Sequence, residues 1–282
     1  MNRSKKLVDV PLLLGRYRPL RLLARGGSAS VFRGRDEVLG RDIAIKLFNA
    51  DHEADREKHR DELRVLAGLS HHGVVSIIDA GIDESSPTDA RPFLIMELVR
   101  GLTLKETLDQ RDLSAREIGE VGYEIAEVLE YVHSRGVIHR DITPSNIMLV
   151  DYGTTASRPR ARLTDFGIAL DASSAATEDG RITATIAFAS PEQVCNAKLT
   201  PASDVYSLGL VLLHSFTHEP AFPGTLVHSA VMRVSHDVDI PDLVAPALRE
   251  LLTHMTARDP VQRPGAADVL ERLRVALRSL RD

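Results

Sequence analysis

The hydrophobic periodicity of the chain changes near Val99, and this change constrains the fold more than any other feature of the sequence. Before it, glycine-bearing or polar turns separate strand-like segments at 17–23, 30–35, 42–48 and 93–99. After it, apolar residues recur every three or four positions, which is the spacing of a buried helix face. The chain is therefore expected to contain mainly strands before Val99 and mainly helices after it.

The clearest helix after this change begins at Ser114, because Ser114 and Glu117 have the capping-box pattern that starts a helix. Its apolar residues form one stripe that should be buried: Ile118, Val121, Ile125, Val128 and Val132. Gly136 is expected to end it. A second helix at 203–216 is apolar enough to be central to its part of the fold, and an amphipathic helix is predicted at 265–280.

The composition excludes several classes of protein. The chain has 282 residues, of which 43% are hydrophobic, so a sizeable core is expected. Its net charge of −5 gives no electrostatic argument for a nucleic-acid partner, and apolar runs such as 209–213 are too short for a membrane span. The single cysteine, Cys195, excludes an intramolecular disulfide and is expected to be an inert, partly buried thiol. We therefore expect a cytoplasmic protein.

The stretch from His139 to Asn146 carries the residues best suited to chemistry. Asp141 can orient a hydroxyl and accept its proton, and Asn146 can hold a hard cation through its amide oxygen. Pro144 braces the loop that carries both. Asp165, in the run Asp-Phe-Gly, offers a second oxygen ligand. The alternative for Asp141 is a carboxylate that only caps its loop.

Two features of the strand region suit a bound phosphate. Glycines at 26–27, between two strands, let backbone N–H groups approach phosphate oxygens, although a plain hairpin turn explains them as well. In the third strand, alternation places Ala44 and Lys46 on one face, with room for a flat base beside the ammonium. An edge-strand lysine in water is the alternative. A polar helix predicted at 55–69 carries Glu62, a candidate partner for Lys46.

The adjacent histidines His71 and His72 suggest a metal site at first sight. Neighbouring residues rarely direct both side chains at one ligand, so zinc is not expected here. We expect a structural role for them at a turn before the next strand, which should reach Ala80.

Along residues 16–277 these motifs resemble those of protein kinases, in particular the eukaryotic-like Ser/Thr kinases common in bacteria. The run Ala-Ser-Pro-Glu at 189–192 is similar to the Ala-Pro-Glu that closes a kinase activation segment. The resemblance implies a bilobal α+β fold with an N-terminal tail at 1–15, a small, mainly antiparallel β lobe with one key helix at 16–99, and a larger, mainly helical lobe at 100–282. It also implies ATP and Mg²⁺, or Mn²⁺, as cofactors.

By the same resemblance, Asp141 is the catalytic base, while Asn146 and Asp165 bind the metal. Lys46 holds the α- and β-phosphates, and Glu62 fixes Lys46 in place. With Asp141 and Asn146, these two residues make up the expected catalytic set. The residues expected to bind ATP are Ala24, Arg25, Gly26, Gly27, Ser28, Val31, Ala44, Lys46, Met96, Glu97, Val99 and Met148.

Other residues are expected, from the resemblance, to organise the site rather than to react. Glu192 and Arg263 should form a buried ion pair that anchors the activation segment. Asp204 should hydrogen-bond the backbone of the catalytic loop. A hydrophobic column that links the lobes is expected from Leu66, Ile77, His139 and Phe166.

Regulation is suggested by Arg140, because a cation beside the catalytic carboxylate favours an anion such as a phosphothreonine. We expect Thr177 or Thr183 to be phosphorylated and to order the activation segment by pairing with Arg140. Thr185 resembles instead the threonine that sits by the catalytic Asp and favours Ser/Thr substrates.

The sequence departs from the kinase pattern in two places that concern ATP. Ala24 and Ala29 replace the outer glycines of the phosphate loop. Thr143 replaces the usual lysine that contacts the γ-phosphate, and the loss of one such donor typically costs about 10²–10³ in rate. The polar hairpin at 152–160 is longer than usual, and we interpret it as a surface insertion with no catalytic role.

The resemblance therefore predicts a kinase that transfers the γ-phosphate of Mg-ATP to Ser/Thr hydroxyls of proteins and phosphorylates its own activation segment. A pseudokinase that acts as a nucleotide-binding or scaffold domain is the alternative, and Thr143 and the two alanines support it. A small-molecule kinase is less well supported, because such enzymes usually lack the Ser-Pro-Glu run and Arg263. Protein substrates and ATP are the expected partners, without nucleic acid or a membrane span, and the family analogy allows a homodimer.

Overall fold

The structure, a computed structural model, describes residues 12–26, 29–49, 67–83, 91–153, 158–166 and 187–280. The chain divides into two compact units, the first of Met1–Ser70 and Val75–Val99 and the second of His71–Val74 and Arg100–Asp282. Strands dominate the described part of the first unit and helices that of the second. The predicted α+β class is therefore confirmed.

The first unit contains a five-stranded antiparallel sheet of order β1-β2-β3-β5-β4. Its strands are β1 (Tyr17–Arg25), β2 (Ala29–Asp36), β3 (Arg41–Phe48), β4 (Ile77–Asp83) and β5 (Arg91–Glu97). As the alternation in β3 predicts, Ile43 and Ile45 are buried, and they pack in one core with Tyr17 and Phe93. A Cβ on Gly34 would lie 2.5 Å from the Cδ1 atom of Ile45, so the packing there requires glycine.

The second unit is built of helices with one small sheet. Its described helices are α1 (Leu104–Leu108), α2 (Ala115–His133), α3 (Pro191–Val194), α4 (Pro201–Thr217), α5 (Leu226–Ser235), α6 (Pro246–Met255) and α7 (Ala266–Ala276). The sheet has the order β6-β7-β8 and consists of β6 (Leu102–Thr103), β7 (Ile147–Val150) and β8 (Arg160–Leu163). Short 3₁₀ turns cover Pro144–Asn146 and Pro260–Gln262.

Helix α2 begins where the capping box predicts. The Ser114 hydroxyl accepts the backbone N–H of Glu117, and the Glu117 carboxylate accepts that of Ser114. The predicted apolar stripe is buried along its whole length. Gly122 lets α2 approach α4 closely, since a Cβ there would lie 2.9 Å from the Cδ1 atom of Leu212.

Helix α4 is buried over most of its length, as its apolar sequence predicts. It begins at Pro201, earlier than the predicted Ser203, with Thr200 as the N-cap residue. Proline is favoured in a first helical turn because its missing N–H would have no partner there. The last helix, α7, is shorter than predicted and ends at Ala276.

Two further features complete the fold. Cys195 is exposed, so the prediction of a partly buried thiol was wrong. It caps the C-terminal end of the short helix α3, where the chain turns toward the surface. Among the residues that the structure describes, no helix has both the length and the apolar composition needed to cross a membrane.

Candidate active site

The loop between α2 and β7 brings Asp141 and Asn146 together. The Nδ2 atom of Asn146 donates to the Oδ2 atom of Asp141 and to the Asp141 backbone oxygen, each at 2.8 Å. The 3₁₀ turn curls the chain back for this contact, and its last N–H, that of Asn146, donates to the Thr143 oxygen at 3.0 Å. Because the amide nitrogen is directed at Asp141, the amide oxygen lies on the other side of the group, as a cation ligand requires.

Asp204, in the first turn of α4, holds this loop by its backbone. Its almost fully buried carboxylate accepts the N–H of His139 at 2.7 Å and that of Arg140 at 2.8 Å. At the end of α2, His133 places Nε2 2.9 Å from the same carboxylate. Arg140 has a φ of +70°, a conformation that costs a non-glycine residue about 1–2 kcal/mol. These hydrogen bonds therefore stabilise a strained backbone directly before Asp141.

Asp165 follows β8, and the pairing of β7 with β8 brings it beside Asn146. Ile147 pairs with Leu163, and the N–H of Thr164 donates to the Asn146 oxygen at 2.9 Å. Asp165 also has a positive φ, of 59°. Its carboxylate and the amide oxygen of Asn146 are hard oxygen donors, and one carboxylate with few other protein ligands is the kind of set that suits Mg²⁺.

His139 is fully buried and joins the loop to the segment after β8. Its Nδ1 atom accepts the N–H of Asp141 at 3.3 Å, and its Nε2 atom lies 3.1 Å from the Thr164 oxygen. Since a carbonyl oxygen only accepts, Nε2 carries the proton. The ring centroid of His139 lies 4.6 Å from that of Phe166. These are two of the four residues of the expected column, of which Leu66 lies outside the described residues.

In the first unit, the sheet brings several of the expected ATP-binding residues onto one face. Val31 pairs with Lys46 between β2 and β3, and Ala44 pairs with Met96 between β3 and β5. Residues paired across antiparallel strands share a face, and alternation puts Ala44 and Lys46 on the face opposite the core. The Nζ atom of Lys46 lies 5.5 Å from the ring centroid of Phe48.

The other expected ATP-binding residues occupy the ends of strands. Ala24 and Arg25 end β1, and the N–H of Gly26 donates to the Ala29 oxygen at 2.7 Å. Glu97 ends β5, Val99 is the last residue of the first unit, and Met148 lies in β7 of the second. The expected site residues outside the described part of the chain are Gly27, Ser28, Glu62, Thr177, Thr183 and Thr185.

Glu192 and Arg263 form a buried, bidentate ion pair. Nη1 of Arg263 donates to Oε1 of Glu192 at 2.7 Å, and Nη2 donates to Oε2 at 3.0 Å. The Arg263 side chain is 0% exposed. Burial alone raises the pKa of Glu192, but the hydrogen bonds from Arg263 and Ser203 outweigh it and hold the pKa below its ordinary value of 4.5. The end of the segment is therefore fixed to the body of the second unit.

Gln193 connects this segment to the loop that carries Asp141, a contact that was not predicted from the sequence. Its Nε2 atom donates to the backbone oxygen of Arg140 at 2.7 Å. Its Oε1 atom accepts the N–H of Ser190 at 2.8 Å and closes a capping box on α3. The Ser-x-x-Gln capping pattern is visible in the sequence, but the contact with a residue so far along the chain is not.

Thr143, where the kinase pattern usually has lysine, is buried. It precedes the 3₁₀ turn and makes no side-chain hydrogen bond as its cap. The structure therefore places an uncharged side chain at the position expected to contact the γ-phosphate.

The turn at His71–Val74 belongs to the second unit and lies against α2. Ligand atoms of His71, His72 and Glu127 lie within 4.8 Å of one another, so the expectation that adjacent histidines do not converge was wrong. The two histidine rings are tilted by 34° relative to each other, with centroids 4.3 Å apart. The Nδ1 atom of His71 accepts the N–H of Gly73 at 3.1 Å, which is a structural role for this nitrogen.

Glu124, on α2, is a buried charge that the sequence analysis missed. Its carboxylate accepts the N–H of Ala161 and pairs with Arg158 at 3.0 Å and with Arg160 at 2.6 Å. Burial raises the pKa of Glu124, and these partners offset the increase only in part. The contacts tie the polar hairpin after β7 to α2. The sequence did indicate something unusual here, because Glu124 lies between Val121 and Val128 on the apolar stripe of α2.

A unit with a five-stranded antiparallel sheet, followed by a helical unit that carries this loop, is the arrangement of a protein kinase domain. The model of the family described as the protein kinase domain matches residues 17–273, so the chain belongs to this family.

Three curated relatives are bacterial. The serine/threonine-protein kinase PknA of Mycobacterium tuberculosis is 32% identical over 258 residues, which cover 89% of this chain and 58% of that protein. PknL of Mycobacterium bovis is 34% identical over 268 residues, covering 91% and 64%. The DNA damage-responsive serine/threonine-protein kinase RqkA of Deinococcus radiodurans is 33% identical over 274 residues, covering 93% and 39%. The chain therefore spans only part of the length of each relative.

Proposed function

We propose that the protein is a serine/threonine protein kinase that transfers the γ-phosphate of ATP to hydroxyl groups of protein substrates. The observation that carries this proposal is the loop in which Asn146 orients Asp141, Asp204 holds the backbone, and Asp165 lies beside Asn146. The printed names of the three relatives, each a serine/threonine-protein kinase, support the same activity.

Asp141 is the base in this proposal. Because Asn146 directs its carboxylate, Asp141 is held in one orientation toward an incoming hydroxyl. The hydroxyl oxygen attacks the γ-phosphorus, its proton passes to Asp141, and the bond from the γ-phosphorus to the bridging oxygen of the departing ADP breaks. Proton transfer to a positioned group of this kind contributes about 10²–10⁴ in rate.

In this proposal, residues of each unit have their own role toward ATP. Asn146 and Asp165 bind Mg²⁺, which supplies charge neutralisation on the phosphates when it is bound. Lys46 holds the α- and β-phosphates, and the sheet face that it shares with Val31 and Ala44 receives the nucleotide. The pairing of Val31 with Lys46, and the small side chain of Ala44 on the same face of β3 as Lys46, support this assignment.

We propose further that the protein phosphorylates its own activation segment at Thr177 or Thr183. A phosphothreonine carries about −1.5 to −2 charges and pairs with Arg140. The hydrogen bond from Gln193 to the Arg140 oxygen supports this, because it already links Arg140 to the end of the same segment. In this proposal the kinase acts in signalling in the cytoplasm, where ATP is available.

Transfer of radiolabelled phosphate from Mg-ATP to a generic protein substrate tests the main proposal. The Asp141→Asn variant should lose about 10²–10⁴ in rate, because an amide does not accept the proton. The Asp112→Asn variant makes the same chemical change at a side chain that is 95% exposed and should keep the wild-type rate. Transfer that survives Asp141→Asn would contradict the assignment of the base.

The same samples test the finer proposals. Mass spectrometry after incubation with ATP should find phosphate between residues 171 and 187 of the wild type and none there in Asp141→Asn. A wild type without it would exclude autophosphorylation of this segment. A protein that Mg-ATP stabilises thermally but that transfers no phosphate would instead be the alternative, a nucleotide-binding pseudokinase.

A further inference from the structure

Arg233, on α5, is the largest fully buried side chain in the described part of the chain, with 0% of its surface exposed. Arginine is almost never buried to this extent unless it binds a partner, because its charge loses the hydration of water. A side chain retained for stability alone would be apolar here, since well-packed apolar groups often replace buried charges without loss. The hydrogen bonds that compensate this buried cation therefore indicate what it holds in place.

The guanidinium of Arg233 holds the segment that leads to the active site. Its Nη2 atom donates to the backbone oxygen of Ala187 at 2.8 Å, and it lies 3.5 Å from the hydroxyl of Ser229 one turn earlier on α5. Its Cζ atom lies 5.5 Å from the ring centroid of Phe222. A hydrogen bond from a charged donor to a backbone oxygen fixes the main chain without depending on the side chain at that position.

The segment that Arg233 holds is fixed at its other end as well. Glu192 is bound by Arg263, and Gln193 donates to the backbone oxygen of Arg140, the residue before Asp141. The stretch from Ala187 to Gln193 therefore has two anchors, and its last residue contacts the loop that carries Asp141. Because Gln193 contacts the residue directly before Asp141, this end of the stretch lies where a polypeptide that offers its hydroxyl to Asp141 would pass.

Tyr206 lies close to both arginines inside the second unit. The Cζ atom of Arg263 lies 4.7 Å from the ring centroid of Tyr206. Burial raises the pKa of Tyr206 to about 12, and the charge of Arg233 opposes this increase. Both arginines therefore act on one buried phenol.

We propose that Arg233 is a positioning residue for the protein substrate: by holding the Ala187 oxygen, it shapes the stretch against which the substrate binds beside Asp141. This inference rests on the proposed kinase function. It assigns Arg233 a role toward the protein substrate and none toward ATP. The inference is testable because it predicts a change in KM for the protein substrate and none in KM for ATP.

Steady-state kinetics of the full chain, with a generic protein such as myelin basic protein and with ATP varied in turn, tests the assignment. Arg233→Met should raise KM for the protein roughly tenfold, the expected effect of losing a hydrogen bond from a charged donor. KM for ATP should stay within about twofold, because none of the residues expected to bind ATP lies in the stretch that Arg233 holds. Arg233→Lys replaces the guanidinium by a single ammonium group, which is still a charged donor. Its KM for the protein should therefore lie within about threefold of wild type.

A matched control is Arg249→Met, because Arg249 also donates to backbone oxygens, those of Asp242 and Val244, but on the loop before α6. This variant should leave both KM values unchanged. An unchanged KM for the protein in Arg233→Met, or an equal rise in KM for ATP, overturns the proposal. If Arg233→Met fails to fold, Arg233→Gln decides, since it keeps an N–H donor but loses the charge. Its KM for the protein should also rise, and an unchanged value overturns the proposal.

The outcome for the wild type separates the two levels of inference. A wild type that transfers no phosphate to protein overturns the kinase function and this role together. A wild type that transfers phosphate, with Arg233→Met indistinguishable from it, overturns the role of Arg233 alone.

Discussion

Glu192 and Glu124 are both buried in the second unit and both pair with arginine, yet their pKa values move in opposite directions. For Glu192, burial raises the pKa, but the hydrogen bonds from Arg263 and Ser203 lower it further than burial raises it. For Glu124, burial dominates and the pKa stays raised, although Arg158, Arg160 and a backbone N–H all oppose it.

The difference comes from how deeply the partner arginines are buried and not from how many there are. Arg263 is 0% exposed and meets Glu192 with two parallel hydrogen bonds. Arg158 and Arg160 are 42% and 43% exposed, so water weakens their charges. One buried, bidentate partner therefore keeps a buried carboxylate ionised more effectively than two half-exposed ones. The strong pair joins the short helix α3 to the residue after the second 3₁₀ turn, and the weak contacts lie at the hairpin between β7 and β8.

The largest expected effect is that of breaking the strong pair. Arg263→Met should destabilise the protein by about 3–5 kcal/mol, because Glu192 is left as an uncompensated buried charge. Urea unfolding of the full chain measures this. The double variant Glu192→Met with Arg263→Met should recover most of the loss, since it leaves no unpaired charge. A double variant as unstable as the sum of the single ones would contradict the explanation by an unpaired charge.

A smaller effect, visible through pH, is expected at Glu124. Its pKa is raised in the folded state, so the folded protein binds the proton more tightly and stability falls as pH rises from about 4.5 through the folded pKa. Glu124→Gln should remove this loss, so its stability relative to wild type should increase as the pH rises above about 4.5. Thermal unfolding across this range measures the difference.

The same measurement of stability against pH should give the opposite trend for Glu192. Glu192 has a lowered pKa, so its contribution to stability is present above the unfolded pKa and is lost as pH falls through the folded value. Glu192→Gln should therefore lose stability relative to wild type as pH rises through the acid range, the opposite of Glu124→Gln. Parallel pH profiles for the two variants would refute the comparison.

The smallest effect is expected for Arg158→Met. Half-exposed ion pairs contribute about 0–1 kcal/mol, so its unfolding midpoint should shift only slightly. Phosphate transfer should be unchanged, because the hairpin is proposed to have no catalytic role. A large loss of transfer with normal stability would assign the hairpin a part in substrate binding.

The elements that the sequence predicted well have local determinants. The alternation of Ile43, Ala44, Ile45 and Lys46 is a property of four neighbouring residues, and the capping box that starts α2 spans Ser114 to Glu117. The loop residues Asp141, Asn146 and Asp165 were predicted from their order and spacing, and the structure brings them together within the second unit. Their functional roles stay a proposal.

Helix α5 shows why other features were missed. Its valines at 227, 231 and 234 are exposed, whereas Ser229 and Arg233 are buried. Hydrophobic periodicity predicts the reverse, since it assigns the apolar stripe to the core. The buried face is instead the one that reaches the oxygen of Ala187, a partner far away in the sequence. The contact from Gln193 to Arg140 was missed for the same reason.

The tautomer of His139 limits which substitutions the catalytic loop tolerates. The side chain at this position accepts the N–H of Asp141 with one atom and donates to the Thr164 oxygen with another, while its ring packs on Phe166. Lysine and arginine offer only donors, and an ionised carboxylate offers only acceptors, so each fails one of the two contacts. Variants selected at this position for retained function should therefore be flat side chains that both donate and accept.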